Sequence, residues 1–267
     1  MTLPRWGWLA VIAIAGLAAC GPREPKTAEE KLARGRELVQ QMSQRLAQAQ
    51  AFTTESRETR ERVKADGTKV AQTFTRRATV KRPNRLYSKT SGDVDNEVFY
   101  DGVGLTFVSH KDKIFAQSLM PETLDATLDA LAARYGVVMS VADLAYADPS
   151  KALLTQTTTG GWVGREDVDG RPCHHLSFAD EGVSWELWLP VEGDPLPVRL
   201  RVVRTGKKGQ PVTDTHFTGW NLQPAVDAAA FDPKVPADYE GIAIIQRASA
   251  VLTKPEQAPA AVQSPAR

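Results

Sequence analysis

The chain is poor in the residues that most often carry chemistry. Its 267 residues include two cysteines and four histidines. No Cys-x-x-Cys, His-Glu-x-x-His or paired-carboxylate spacing gathers them. A structural zinc site needs four ligands and a catalytic one about three, and neither can be assembled. An excess of one charge is also missing: 33 Lys and Arg face 32 Asp and Glu. A balanced chain lacks the basic footprint of a nucleic-acid binder. No apolar run reaches the roughly 20 residues that a membrane-spanning helix needs. No internal repeat is visible, so a solenoid or propeller is not indicated.

What is present begins at the N-terminus. Arg5 and the apolar run 6–19 have the form of a secretory signal peptide. The run ends in Leu17-Ala18-Ala19-Cys20-Gly21, which resembles the lipobox of bacterial lipoproteins. The resemblance implies cleavage before Cys20 and a diacylglycerol on its thiol, so that Cys20 anchors the protein to a membrane. Residues 1–19 are then the signal peptide, and 20–26 (CGPREPK) a Pro/Gly-rich tether. In the enterobacterial sorting pattern, Asp after the lipidated cysteine implies inner-membrane retention. Gly21 stands there, which favours the outer membrane, on the periplasmic side of a Gram-negative envelope. Loss of Arg5 takes the 33 basic residues to 32, against 32 acidic. Cys173 is left without a disulfide partner in a compartment that permits one.

The rest reads as one domain over 27–246 and a disordered Pro/Ala-rich tail over 247–267. A helix is expected over 27–50. Thr27 and Glu30 form its capping box, and Leu32, Val39, Met42 and Leu46 its apolar stripe. Gly35 lies near that stripe, where it allows close packing. From Phe52 the period changes to two. Hairpin turns at Asp66-Gly67, Asp101-Gly102, Asp169-Gly170, Glu181-Gly182 and 206–209 separate short strands. Helical segments interrupt them at 121–135, 140–143 and 149–154. The expectation is a mainly β (α+β) fold: an antiparallel open half-barrel of about eleven strands, an N-terminal helix and a helical lid insertion.

Two strands show the faces of this sheet most clearly. Val183, Trp185, Leu187 and Leu189 share one side, with Ser184 and Glu186 opposite. Val198, Leu200 and Val202 oppose Arg199 and Arg201. One face is apolar and one wet. The helices give thin cover for so many strands, so the apolar face either closes on itself or lines a pocket for an apolar ligand.

The order of helix, hairpins, helical insertion and more hairpins, ending in THFTGWNLQPAVDAAAFDPKVP, resembles the lipoprotein-localisation-factor (LolA/LolB-like) superfamily. More narrowly, the chain is similar to a predicted periplasmic family of unknown function (DUF2092-like). That likeness rests on LDALAARYGVVMSVADLAYA at 128–147, VDGRPCHHLSF at 168–178 and residues 231–236, and covers about 27–243. The superfamily resemblance implies a half-barrel under a helical lid that binds lipid or acyl chains. No individual ligand residue carries over from it.

The run Cys173-His174-His175 invites a catalytic or metal assignment, and strand parity argues against one. His174 faces the apolar side with Leu176 and Phe178; Cys173 and His175 face the other way. We read all three as strand-packing residues. Trp188, opposite in face to Trp185, is expected at the rim with its indole N–H toward water. The expected protein is a non-enzymatic, cofactor-free envelope lipoprotein. Phe74, Phe107, Trp185, Leu187, Leu189, Leu200 and Val202 are the candidate ligand-lining residues, and Leu128 and Leu131 the lid candidates. Its partners are the membrane, through Cys20, and a lipid or acyl-chain ligand or an envelope lipoprotein. Two alternatives stand beside it. One is an interaction or sensor module with a filled core. The other is an enzyme, which demands a convergent polar cluster.

Overall fold

The computed structural model describes residues 24–135, 141–155, 157 and 159–243. The expected signal peptide, Cys20, the tail from 247 and the expected helix cap Ser140 lie outside them. Among the described residues no helix is long and apolar enough to cross a membrane.

Helix α1, Ala28–Ala47, starts at the expected cap. The Thr27 hydroxyl accepts from the Glu30 N–H, and the Glu30 carboxylate accepts from the Thr27 N–H. Its stripe is buried at Leu38, Val39, Met42 and Leu46, with Leu32 packed at the margin. Six strands follow: β1 Ala51–Val63, β2 Lys69–Lys81, β3 Arg85–Gly92, β4 Asn96–Tyr100, β5 Gly104–Ser109 and β6 Ile114–Leu119. The helical insertion holds α2 (Leu124–Tyr135), a 3-10 turn (Ala142–Ala145) and α3 (Pro149–Leu154). Then come β7 Thr159–Val168, β8 Arg171–Asp180, β9 Val183–Pro190, β10 Arg199–Val203 and β11 Val212–Asn221. At the Asp169-Gly170 turn both residues are left-handed, φ 53° and 77°, as a two-residue hairpin requires.

Among the described residues twelve strands form one open sheet, where about eleven were expected. The additional β12, Glu240–Gly241, pairs parallel with β6. Two exposed residues carry no alternation for a sequence pattern to detect. The expected strand from Leu196 begins only at Arg199. Pro197 has no N–H to donate to a ladder, and its carbonyl accepts the Trp220 indole N–H instead (2.9 Å).

The strand order is β12-β6-β5-β4-β3-β2-β1-β11-β10-β9-β8-β7. The chain enters at the middle of the sheet and moves outward by hairpins from β1 to β6. It then crosses to the far edge and returns by hairpins from β7 until β11 pairs with β1. The segment making the first crossing is the helical insertion, so topology alone carries it across the sheet.

Helix α1 lies over β7 and its neighbours. It approaches β7 so closely that a Cβ on Gly35 would stand 2.7 Å from the Gly161 Cα. On Gly161, which sits at φ +137°, a Cβ would collide with the Lys31 carbonyl oxygen. The core under α1 joins its stripe to Trp162, Leu176, Phe178, Trp185, Leu187, Leu189 and Leu200, with lid residues Leu144, Leu153 and Leu154. A second cluster joins Phe52, Val80, Leu86, Tyr100 and Leu105 to Leu124, Leu128 and Leu131 of α2.

Candidate functional site

The concave face is divided. On the β7–β10 half, α1 and its leucines fill the space. On the β1–β5 half, the lid covers only one end, and a cavity of about 810 Å³ remains below it. That volume lies toward the top of the range for small-molecule sites, roughly 300–1,000 Å³.

Even-numbered positions of β1 face the cavity, and strand register assigns the rows beside them. At the lid end, Phe52 lies beside Val80, which pairs with Leu86, and Tyr100 follows. The next row runs Thr54, Ala78, Ser88, Val98 and Phe107. Val141, Ala142, Leu144 and Ala145 close this end from above, together with Leu128 and Trp220. Two rows further, Glu58 lies beside Phe74, and beyond them Arg60 pairs with Gln72 across the hairpin. The β1–β2 turn brings Lys64, and the β10–β11 turn brings Arg204, Lys207 and Lys208, to the open end.

The polar middle is bonded internally. Glu58, 2 % exposed, accepts from Arg76 Nε at 2.6 Å and from the Ser56 hydroxyl at 3.1 Å. Arg76 also donates to Ser88 Oγ at 3.2 Å. Phe74 is flanked by two guanidinium groups, Arg60 at 5.4 Å and Arg76 at 5.6 Å from the ring centre. Burial first, and then the neighbouring Arg76, hold the Arg60 guanidinium below its ordinary pKa. Its Nε is buried with no hydrogen-bond partner among the described residues, and so are the hydroxyls of Thr54, Thr90 and Thr215.

The expected lining residues divide between the two halves. Phe74, Phe107 and Leu128 line the cavity. Leu131 is buried in the same cluster as Leu128, behind the wall. Trp185, Leu187, Leu189 and Leu200 lie in the core beneath α1, with Val202 packed against its margin. The cavity residues that sequence reasoning passed over are Thr54, Glu58, Arg60 and Arg76. Their signal was the inward face of β1 itself, which reads Phe, Thr, Ser, Glu, Arg, Arg where a packed face would read apolar throughout.

The Cys-His-His run is split between faces, as parity requires. Cys173 is fully buried on the outer face among Val168, Trp188 and Val198, and burial pushes its thiol up to about 11. His174 points inward, and its Nδ1 accepts the Trp162 indole N–H at 3.1 Å. Burial, then Arg34 and Arg165, lowers its pKa. His175 stacks on Trp188 with ring centres 4.4 Å apart. Trp188 is not at a wet rim. It is 3 % exposed, flanked by His175 and by Arg199 at 4.6 Å, and its indole donates to Glu166. Its register neighbours on both sides bring flat side chains against the ring, which removes it from water. Asp214 accepts from Arg199, and His216 stands 3.0 Å from Asp169. Among the described residues no group of three or more His, Cys, Asp or Glu is arranged to hold a metal ion.

A family model described as predicted periplasmic protein, DUF2092, matches residues 35–245. No curated protein matches the chain. Solved structures match at low identity. An uncharacterized conserved protein from Thermus thermophilus is 10% identical over 78% of this chain and 98% of its own, with a TM-score of 0.47. The LolA superfamily protein NE2245 from Nitrosomonas europaea is 9% identical over 75% of this chain and 98% of its own, TM-score 0.38. The Mycobacterium tuberculosis lipoprotein LppX is 14% identical over 72% and 97%, TM-score 0.40.

Proposed function

This chain belongs to the DUF2092 family of predicted periplasmic proteins, and from that premise we propose that it is a lipid-anchored envelope protein that holds an apolar ligand in its half-barrel. Cys20 is the anchor, 20–26 the tether, and the outer membrane the favoured site. The ligand is a lipid, or the acyl chain of a lipidated partner. The observation that carries this reading is the cavity of about 810 Å³ on one half of a sheet whose other half carries the core under α1. Phe74, Phe107 and Leu128 contact the ligand, with Leu131 supporting the lid. Trp185, Leu187, Leu189, Leu200 and Val202 hold α1 and so fix the neighbouring wall. Burial drives binding: about 0.8 kcal/mol for each methylene taken from water, with no covalent step.

The test is direct. A form beginning at Gly21, produced in the periplasm, is extracted with organic solvent and the extract is read by mass spectrometry. The expected result is a stoichiometric lipid or acyl species absent from a control protein of similar size. A clean extract from native protein, together with no uptake of added lipid, overturns the reading and favours a protein-interaction module. Mass spectrometry of the full-length protein from membranes checks the anchor: the expected N-terminal residue is Cys20 carrying acyl chains.

A further inference from the structure

The cavity is graded along its length, and the gradient names the chemistry of the ligand. Its inward rows run along β1 from Phe52 to Arg62. At roughly 3.3 Å per residue that stretch covers on the order of 30 Å. The hydrocarbon of one bilayer leaflet is about half of a roughly 30 Å core. An acyl chain with its tip at Phe52, under the lid, therefore ends near the Ser56 and Glu58 rows. Among the described residues, three buried hydroxyls lack a hydrogen-bond partner. Thr54 lines the cavity near the lid, while Thr90 and Thr215 stand beside Arg76 and Glu58 in the strand register, outside the lining.

Beyond the Glu58 row the lining becomes basic. Arg60, Arg62, Lys64, Arg204, Lys207 and Lys208 line the open end. Among the described residues of the lining two are acidic, Glu58 and Glu61, and both are engaged. Glu58 is taken by Arg76, and Glu61 accepts from Lys69 at 2.9 Å and from the Val212 N–H. The described lining of the mouth is thus basic by count, in a chain whose formal net charge is only +1. Charge has been gathered at one end of an apolar cavity, where low-dielectric walls focus its field.

The geometry points to an anionic phospholipid as the ligand, its acyl chain under the lid and its headgroup phosphate at Arg60 and Arg62. Arg60 is the principal anchor: it is half-buried, its Nη2 donates to Gln72 at 3.3 Å, and its Nε has no hydrogen-bond partner among the described residues. This assignment rests on the reading of the cavity as a lipid site.

Binding of phosphatidylglycerol and phosphatidylcholine with identical fluorescent acyl chains separates the two ideas. The protein is the whole chain from Gly21 onward, and glycerol 3-phosphate is the chain-free probe. The expected result is at least about tenfold tighter binding of phosphatidylglycerol at low salt, with the preference shrinking in about 0.5 M salt. Arg60→Gln with Arg62→Gln should weaken phosphatidylglycerol more than phosphatidylcholine, whose choline cation already offsets its phosphate, and so bring the two close together. Lys208→Gln, on an exposed turn, should lower the preference less. Equal binding of the two lipids by the native protein overturns the headgroup assignment and leaves the lipid reading standing. Glycerol 3-phosphate binding as tightly as phosphatidylglycerol overturns the acyl-chain placement. Failure of both lipids to bind overturns both readings.

Discussion

A single buried ion pair shows how far this cavity departs from an ordinary core. Glu58 and Arg76 face inward at positions where a β-sheet interior normally carries valine or leucine, with side-chain exposures of 3% and 16%. Removing one partner leaves the other charge desolvated. Glu58→Ala should therefore destabilise the fold by about 3–5 kcal/mol, read as a lowered denaturation midpoint in urea. Replacing both residues by methionine should restore much of that loss. If Glu58→Ala leaves the midpoint unmoved, Arg76 is solvated and the cavity is wetter than its geometry indicates. At this scale the sequence was partly legible. Parity alone separated His174 from Cys173 and His175, since alternation is a property of the strand backbone. The burial of Trp188 was not legible, because it depends on which residues of β8 and β10 stand opposite it.

Among the elements, α1 was the most legible, since cap, stripe and length are all local. Its closeness to β7 is not local, and Gly35 shows the difference. Helix propensity favours Ala over Gly by about 1 kcal/mol, so Gly35→Ala should stabilise an isolated α1. In the folded protein the added Cβ meets backbone of Gly161 at 2.7 Å, which cannot swing aside as a side chain would. The expected outcome is a lower melting temperature by scanning calorimetry; a rise would mean that α1 lifts from β7 without cost. The lid carries its own prediction. Burial pushes the Asp143 carboxyl up to about 6, with Arg204 opposing the shift. The unfolded chain releases the same proton near the ordinary value of about 3.9. Between those values the folded state binds the proton more tightly. Stability from this group is therefore complete below about pH 4 and is lost as pH rises through about 6. Asp143→Asn should raise the melting temperature at about pH 7.5 by about 2–4 °C, the shift that about 1 kcal/mol gives in a domain of this size, and change little at about pH 4. Equal gains at both pH values would remove the carboxyl's charge as the cause.

For the whole molecule, the half-barrel and its lid were legible because turns, periods and element order are written along the chain. The division of the concave face was not. The cleanest apolar alternation, in β9 and β10, marks the half that α1 packs against, since a packed face selects apolar residues at every inward position. The open half tolerates a mixed lining, so β1 and β2 look less like sheet interior and draw less notice. Nor does any local pattern say that the first crossing must span the sheet. It does so because β6 and β7 lie toward opposite ends of the strand order, and the helical insertion is the chain between them. That connection behaves as a strap buckled at both rims of an unclosed cup. Its described helices pack into both core clusters, Leu153 and Leu154 into one and Leu124, Leu128 and Leu131 into the other. The cover is thus fastened to both halves of the cup, and a change in either half reaches it directly.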